Sequence, residues 1–372
     1  MDRLQIAFFG ATNSGKSTLV NALAGQEVSL VSELPGTTTD PVRKTIELPG
    51  LGPCVLVDTA GYGDPGALGA ERERRSRATI DATDIAVLLR SGHPEDDRWV
   101  QLLLTAQVPV VEIHSRAEAN DQTALLKRLQ AAQPQEKRRL LTGGLVGKDD
   151  VVVLVMPQDS EAPKGRLILP QVQVLRELLD LGCIPVCCQP EGLQRALEGL
   201  SAPPALTITD SQAFTKVNAV LPADAPLTSF SILLAGAKGD IRTFVESAKA
   251  IDSLRPGDRV LIAEACTHVP DTEDIGRVKI PNLLRKKVGG DLEVTIAAGN
   301  DFPDDLTPYR LIIQCGGCVA TERLLRSRIR KAILAGIPIT NYGIALAALT
   351  GILDRVVIPP LSDLFTIRYS RG

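Results

Sequence analysis

Short apolar runs alternate with charged, amphipathic stretches along the chain, a pattern typical of an α/β protein with mostly parallel strands. The first run, residues 4–9, leads through a glycine-rich loop into an apolar helical stretch at 19–24. Further buried strands are predicted at 54–57, 85–89 and 108–113, with charged helix-favouring stretches between them. These elements predict a first α/β domain.

The same alternation occurs twice more. Strands predicted at 151–156, 183–188 and 205–209, with helices at 171–181 and 191–200, form a small second α/β unit. A Pro-, Ala- and Asp-rich stretch before residue 227 reads as a linker. The third unit is predicted from strands at 230–234, 259–263, 292–296, 311–314 and 338–340 and helices at 241–253, 321–335 and 344–353. We therefore predict three domains, at 1–142, 143–226 and 227–372.

Composition narrows the class of protein. The 372 residues are 44% hydrophobic and 23% charged, with a formal net charge of -3. This balance gives no overall attraction to nucleic acid or to anionic membranes. No apolar run approaches the ~20 residues of a membrane span, and the N-terminus lacks a signal-peptide pattern. We expect a cytoplasmic protein, in which clustered cysteines indicate metal chemistry before disulfides.

A phosphate-binding loop is predicted at Gly10-Ala11-Thr12-Asn13-Ser14-Gly15-Lys16-Ser17, which matches G-x4-G-K-[ST] between a strand and a helix. Backbone amides of such a loop wrap phosphate oxygens, while Lys16 reaches the β and γ phosphates and Ser17 binds magnesium. A plain helix-capping turn is the alternative interpretation.

A second motif supports the first. Asp58-Thr59-Ala60-Gly61 ends a buried strand, where a Walker-B-type Asp holds magnesium and the glycine senses the γ-phosphate. Between the two motifs, the polar run at 36–40 contains Thr38, a candidate to complete the magnesium shell. A simple turn is the alternative for this run.

These residues resemble the translation-factor-related GTPases of the tRNA-modification and ribosome-assembly type. The resemblance implies that Asn13 recruits potassium and that Thr38 is the switch threonine. Lys16 and Thr38 are then the catalytic candidates. The predicted nucleotide contacts are Gly10, Asn13, Ser14, Gly15, Lys16, Ser17, Thr18, Thr38, Asp58 and Gly61.

The chain departs from these GTPases at two places. Tyr62 follows Gly61 where a water-orienting Gln would stand, so we expect slow hydrolysis at most. The N-K-x-D motif that reads guanine should follow residue 113, but the chain has His114-Ser115-Arg116-Ala117. The base-binding half therefore reads as degraded or shortened.

A metal centre is predicted in the third unit. Cys266-Thr267-His268 follows the strand at 259–263, and Cys315-Gly316-Gly317-Cys318 follows that at 311–314. Such positions converge at one edge of an α/β sheet, and three thiolates suit an iron-sulfur cluster. A Cys3His zinc site and a redox dithiol are the alternatives. Cys54, Cys183, Cys187 and Cys188 lie in apolar strands and are predicted to be core residues.

The phosphate loop, the C-x-H and the later C-G-G-C together resemble the FeFe-hydrogenase maturation GTPase family. Stretches at 153–174, 209–214, 264–280 and 339–343 match as well. The resemblance implies a P-loop GTPase-like domain, a dimerisation domain and a domain that holds a 4Fe-4S cluster on Cys266, Cys315 and Cys318. Gln314 stands where many members have histidine, which leaves His268, Gln314 or water as the fourth ligand.

The family also implies a function: a scaffold that binds GTP and Mg2+, carries the di-iron precursor of the hydrogenase active site and delivers it to apo-hydrogenase. Two radical-SAM maturases and a second copy of the chain would be partners, with no nucleic acid or membrane. An RNA-modification or ribosome-assembly GTPase and a cluster carrier with a non-hydrolysing site are the alternatives. Basic residues at 323–331 are a solvated helix face or an attractant for an anionic precursor.

Overall fold

The computed structural model describes residues 3–25, 42–64, 67–134, 139–158, 165, 167–265, 274–299, 301–318 and 320–359. The chain forms two compact units, Met1–Lys137 and Arg138–Gly372. Both alternate strands and helices, so the predicted α/β class is confirmed. Within the described residues, no helix combines the length and the apolar character that crossing a bilayer takes.

The N-terminal unit is built on one five-stranded sheet in the order β2-β3-β1-β4-β5. Its strands are β1 (Leu4–Gly10), β2 (Val42–Leu48), β3 (Gly52–Asp58), β4 (Ile85–Leu89) and β5 (Val110–Ile113). Its helices are α1 (Lys16–Ala24), α2 (Ala67–Ile80), α3 (Asp96–Thr105), α4 (Arg116–Asn120) and α5 (Gln122–Ala132). All pairings are parallel except β2 with β3.

Strand β2 is not among the predicted strands because four of its seven side chains are polar. Only Leu48 at its end is buried, and the others alternate between half-buried and exposed. It is an edge strand with one neighbour, and such strands carry polar residues freely. The signal that could have found it is the period-two alternation from Val42 to Leu48.

No sixth strand follows β5 among the described residues of this unit. The chain instead forms α4 and α5, and α5 packs Leu125 and Leu129 into the core beside β1 and β5. The predicted shortness of the part after residue 113 agrees with this arrangement.

The C-terminal unit contains two four-stranded parallel sheets, in the orders β7-β6-β8-β9 and β11-β10-β12-β13. The strands are β6 (Val151–Val155), β7 (Ile184–Cys188), β8 (Leu206–Thr209), β9 (Leu227–Ser229), β10 (Arg259–Ala263), β11 (Glu293–Ala297), β12 (Leu311–Gln314) and β13 (Ile339–Asn341). The helices are α6 (Leu169–Asp180), α7 (Leu193–Glu198), α8 (Phe214–Val220), α9 (Phe230–Lys238), α10 (Ile241–Ala248), α11 (Ile280–Val288), α12 (Glu322–Ala335) and α13 (Tyr342–Leu349).

The predicted strand at 230–234 is wrong, because these residues begin α9. The Ser229 side chain accepts a hydrogen bond from the Ile232 amide and so caps the helix. Most of α9 is buried, which gives an apolar run without helical periodicity that a buried strand would also show. Leu227–Ser229, just before it, pairs with β8 and completes the second sheet.

The third sheet brings its strand ends to one edge. Ala263, Ala297, Gln314 and Asn341 are the last residues of its four strands, and Ala263, Gln314 and Asn341 lie side by side in register. Ligands of open α/β sheets bind at this carboxyl edge. The C-G-G-C segment begins there, directly after β12.

Candidate functional site: a phosphate loop and a cysteine loop

The phosphate loop joins β1 to α1 with backbone angles that suit its sequence. Gly15 has a φ of 94° and stands at the N-cap of α1. Asn13 has a φ of 61°, a left-handed conformation that asparagine tolerates better than most residues. The Asn13 and Thr18 side chains are exposed, whereas the Ser14 hydroxyl is buried without a hydrogen-bond partner among the described residues. The loop is thus shaped as an anion cradle at a helix N-terminus.

Lys16 lies inside this loop. Its ammonium donates to the carbonyl oxygens of Gly10 at 3.0 Å and Ala11 at 2.8 Å, and only 6% of the residue is exposed. Burial lowers the pKa of Lys16 to about 8, although the negative charge of Asp58 partly opposes the shift. The charged form is therefore costly here until an anion arrives.

Ser17 and Asp58 meet where α1 begins and β3 ends. The Ser17 hydroxyl donates to the Asp58 carboxylate at 2.5 Å, and Asp58 is only 2% exposed. A hydroxyl and a carboxylate are oxygen donors of the kind that Mg2+ takes beside phosphate oxygens. The pair fits a magnesium site, with both residues where the sequence motifs predicted them to act.

Gly61 lies against the phosphate loop. A Cβ atom at residue 61 would come within 2.5 Å of the Thr12 Cα atom, a separation that real Cβ atoms do not show. The Thr12 amide donates to the Tyr62 carbonyl oxygen at 3.0 Å, and the Tyr62 amide donates to the Gly10 carbonyl oxygen at 3.4 Å. Glycine at position 61 thus allows the two motifs to join by backbone contact.

The Tyr62 side chain turns into the core. Its ring stacks on Trp99 with centroids 5.1 Å apart, and its hydroxyl bonds to Asp96. The second Asp96 oxygen accepts from the amides of Ser91, Gly92 and His93. Burial, followed by the Asp96 hydrogen bond, raises the pKa of Tyr62 far above its ordinary range. The sequence analysis missed Asp96, which stands at the start of α3 like an ordinary acidic first-turn residue.

The segment after β5 forms the beginning of helix α4. The Ser115 hydroxyl accepts from the Glu118 amide at 3.2 Å, and the His114 amide donates to the Glu118 carboxylate at 3.4 Å. Arg128 binds the same carboxylate at 3.2 Å. Ser115 and Glu118 of this S-x-x-E sequence together cap the start of α4. The Glu118 carboxylate, the nearest one to the position of the missing aspartate, is therefore already bound by protein groups.

Three predicted site residues lie outside the described residues: Thr38, Cys266 and His268. The structure therefore gives no positions for the switch threonine or for the C-x-H half of the metal centre. Within the residues that are described, no group of three or more His, Cys, Asp and Glu side chains is placed to hold a metal ion.

Cys315 and Cys318 occupy the carboxyl edge of the third sheet. The Cys315 amide donates to the Ala263 carbonyl oxygen at 2.9 Å, and the Ala265 amide donates to the Cys315 sulfur at 3.1 Å. Gly317, between the two cysteines, has a φ of 62°. Both thiols are partly exposed, and an amide donor to sulfur favours the thiolate that metals bind. The two cysteines fit the role of cluster ligands.

Two buried polar groups beside this loop find no hydrogen-bond partner among the described residues. They are both amide atoms of Gln314, which is 1% exposed, and the hydroxyl of Tyr342. Burial, and then the charge of Cys315, raises the pKa of Tyr342 well above its usual value. Orphaned polar atoms next to the cysteines suit a site whose remaining partner is a bound group.

Arg328 of α12 lies in the interior, next to the basic face that the sequence predicted from Arg323, Arg326 and Arg330. It is 1% exposed, and its guanidinium donates to the carbonyl oxygens of Glu264 and Gly299 and lies over Phe302. Arg326 on the same helix pairs with Glu322. Arg328 thereby connects the segment that follows β10 to the segment that follows β11.

The four other cysteines differ from one another in exposure. Cys54 and Cys183 are buried and Cys188 is half-buried, but Cys187 is exposed on the edge strand β7. The predicted core position is therefore wrong for Cys187, since an edge strand leaves part of its surface uncovered.

Three family models match successive parts of the chain. The 50S ribosome-binding GTPase model covers residues 5–116, the Hydrogen maturase F dimerization domain covers 141–239, and the Hydrogen maturase F tetramerization domain covers 242–359. The second and third models meet between residues 239 and 242, whereas the predicted domain boundary lies between 226 and 227.

Curated relatives of this chain include tRNA modification GTPases, which match about a third of its length. The tRNA modification GTPase MnmE of Nitrosomonas europaea is 37% identical over 128 residues, 33% of this chain and 28% of that protein. The Nitrosospira multiformis MnmE is 39% identical over 117 residues, 30% of this chain and 26% of that one. This chain thus spans little more than a quarter of their length.

A solved structure of Aquifex aeolicus Era bound to GDP.AlF4- is 16% identical, with a TM-score of 0.28, over 82% of this chain and 97% of that one. This score is too low to relate individual residues of the two proteins.

Proposed function

Because the chain belongs to the hydrogen maturase F family, we propose that it is an assembly scaffold for FeFe-hydrogenase. It binds GTP with Mg2+ and a 4Fe-4S cluster, takes up the di-iron precursor of the hydrogenase active site from radical-SAM maturases, and delivers it to apo-hydrogenase. The single observation that carries this proposal is that one chain holds both a built phosphate loop and a cysteine loop at a sheet edge.

The phosphate loop supports the nucleotide half. Lys16 is held by two carbonyl oxygens of its own loop and meets the phosphates there. Ser17 and Asp58 supply oxygens for magnesium, Thr38 would add a third, and Asn13 is the candidate for potassium. We expect tight binding of the GTP phosphates and slow hydrolysis of GTP. The hydrolysis step would then determine when the protein exchanges one partner for the next.

The cysteine loop supports the cluster half. Cys315 and Cys318 hold one side of the cluster, and Cys266 comes from the segment after β10. A bound cluster supplies an iron site with one exchangeable position. His268, Gln314 or water would fill that position until the precursor arrives, and the orphaned amide of Gln314 supports a role near the centre.

Anaerobic reconstitution tests the proposal. Full-length protein is supplied with iron and sulfide, and its iron and sulfide content and its electron paramagnetic resonance spectrum are measured. We expect about four irons per chain in the wild type and loss of the spectrum in Cys315→Ser, Cys318→Ser and Cys266→Ser. Cys187→Ser is the matched control, since its thiol is exposed but belongs to the second sheet, whereas the C-G-G-C segment follows a strand of the third.

Two outcomes would count against a cluster scaffold. One is a wild-type chain that binds no iron. The other is a cysteine variant of the C-G-G-C segment that keeps the wild-type spectrum. Zinc bound in place of iron at the same cysteines would favour the Cys3His alternative.

Two observations favour a second candidate, a cluster carrier whose nucleotide site does not turn over. The Tyr62 side chain is buried, away from the phosphates, and the guanine-reading segment has become a helix cap. This candidate predicts background-level phosphate release with GTP, Mg2+ and potassium, whereas a working GTPase predicts release above that of Lys16→Ala. Phosphate-release assays on the full chain separate the two.

A further inference from the structure

We infer that Lys238 is a positioning residue of the cysteine loop, which it holds in place while its positive charge offsets the negative charge of the bound cluster. This inference rests on the proposed function, because it assigns a role to Lys238 at that same site. The sequence motifs do not include Lys238, which precedes C-G-G-C by almost eighty residues.

The contacts of Lys238 are concentrated on the loop. Its ammonium donates to the carbonyl oxygens of Gly317 at 3.2 Å, Cys318 at 3.4 Å and Ala320 at 3.0 Å. The residue is only 5% exposed. Three carbonyls converging on one buried cation fix the backbone on both sides of Cys318, and charged hydrogen bonds are stronger than neutral ones.

Helix α9 holds the lysine rigidly. Phe230 and Leu233 pack into the core on one face of the second sheet, while Ile232 and Ala235 pack into the core that the other face shares with the third sheet. Lys238 lies in the last turn of this helix, where the helix dipole favours a positive charge. The ammonium is therefore presented to the loop from a helix that is fixed on two sides.

The charge of Lys238 also affects the centre. A 4Fe-4S cluster on three thiolates is anionic, and reduction adds one more negative charge. A buried cation bonded to the Cys318 carbonyl lies close to that charge and is screened little by solvent. Lys238 should therefore favour the reduced cluster and raise its midpoint potential.

The test compares Lys238→Met with Lys216→Met in the full chain. Lys216 lies in the same family-model region but is exposed, and it pairs only distantly with Glu191 at 3.6 Å. Hydrogen exchange of peptides covering 315–320 is measured without iron. The rate of iron loss to a chelator and the midpoint potential are measured after reconstitution.

We expect Lys238→Met to speed exchange in the loop and iron loss by about tenfold or more, and to lower the midpoint potential. Lys216→Met should change none of the three. Lys238→Gln keeps a donor but no charge, so it should retain part of the loop protection and still lower the potential. If Lys238→Met does not fold, the same measurements on Lys238→Gln still test the inference.

The inference is overturned if both Lys238 variants match Lys216→Met in exchange and in potential. If the wild type binds no cluster, the proposed function fails, but exchange in the iron-free chain still decides whether Lys238 holds the loop. If Lys238→Gln has the hydrogen exchange of the wild type and an unchanged midpoint potential, the charge of Lys238 does not act on the cluster.

Discussion

The Tyr62 hydroxyl donates a 2.6 Å hydrogen bond to the Asp96 carboxylate, and this contact places the residue after Gly61 inside the protein. In GTPases of the Ras type, a glutamine at this position orients the attacking water. Tyr62 is 2% exposed and lies on Trp99, so its side chain does not reach a phosphate-bound water. The position therefore serves packing.

Tyr62→Phe should destabilise the N-terminal unit by about 1–2 kcal/mol, because it deprives a buried carboxylate of one donor and keeps the ring stack. Trp99 is the sole tryptophan of the chain, so urea unfolding followed by its fluorescence reports on this unit. GTP affinity and the hydrolysis rate should stay at the wild-type level. A large fall in hydrolysis with unchanged stability would contradict the packing role.

Nucleotide binding should be coupled to proton uptake at Lys16. The free protein holds this lysine with a pKa of about 8, against an ordinary 10.5. Phosphates favour the charged form, so binding raises the pKa and the affinity falls as the pH rises above 8. Calorimetry in buffers of different ionisation enthalpy should show roughly three quarters of a proton taken up at pH 8.5 and about a tenth at pH 7. Equal uptake at both values would refute the coupling.

Guanine discrimination should be weak. Ala117 stands in place of the base-reading aspartate, and the carboxylate of the next residue, Glu118, is bound by Arg128. We expect GTP and ATP affinities within about tenfold, since the missing pair of hydrogen bonds accounts for most of the discrimination. Fluorescent-analogue competition measures the ratio, with Lys16→Ala as the non-binding control. A preference above a hundredfold for GTP would show that another segment reads the base.

Arg328→Met should loosen the third sheet strongly. The substitution removes the Arg328 donor from the half-buried Gly299 carbonyl oxygen and leaves the Glu264 carbonyl oxygen with only the Gly299 amide, at a cost of about 3 kcal/mol. Hydrogen exchange in peptides covering β10 and β11 should rise accordingly. Arg326→Met on the same helix removes a half-buried pair with Glu322, which also pairs with Arg139, and should cost about 1 kcal/mol. Equal effects of the two substitutions would disprove the internal role of Arg328.

The sequence predicted the sheets well where strands are uniformly apolar. The strands Ile85–Leu89, Arg259–Ala263 and Leu311–Gln314 have the predicted limits, because both faces of these strands are covered and no polar face interrupts the run. It failed at Val42–Leu48, an exposed edge, and at Phe230–Lys238, where a buried helix has the composition of a buried strand. A uniformly apolar run does not distinguish a buried strand from a buried helix, and an exposed edge strand such as Val42–Leu48 is indicated by its period-two alternation alone.

The residues of the two candidate sites also differ in how far the sequence alone predicts them. Local motifs located Lys16, Ser17 and Asp58, whose chemistry depends on spacing within short segments. The residues that bond to the neighbouring loops, such as Asp96 and Lys238, come from remote helices and resemble ordinary cap or last-turn residues. Only the folded chain brings them to the loops that they hold.

Helix α9 contributes apolar side chains to two different cores, and this has a practical consequence for dissecting the protein. A fragment that starts at the third family model lacks Ile232 and Ala235 and exposes the surface they cover. A fragment that stops at residue 226 lacks β9 and exposes Val152, Leu154 and Ile208 beneath Phe230 and Leu233. Homology divides the chain near residue 240, but a soluble piece for biochemistry must keep both sheets on one polypeptide.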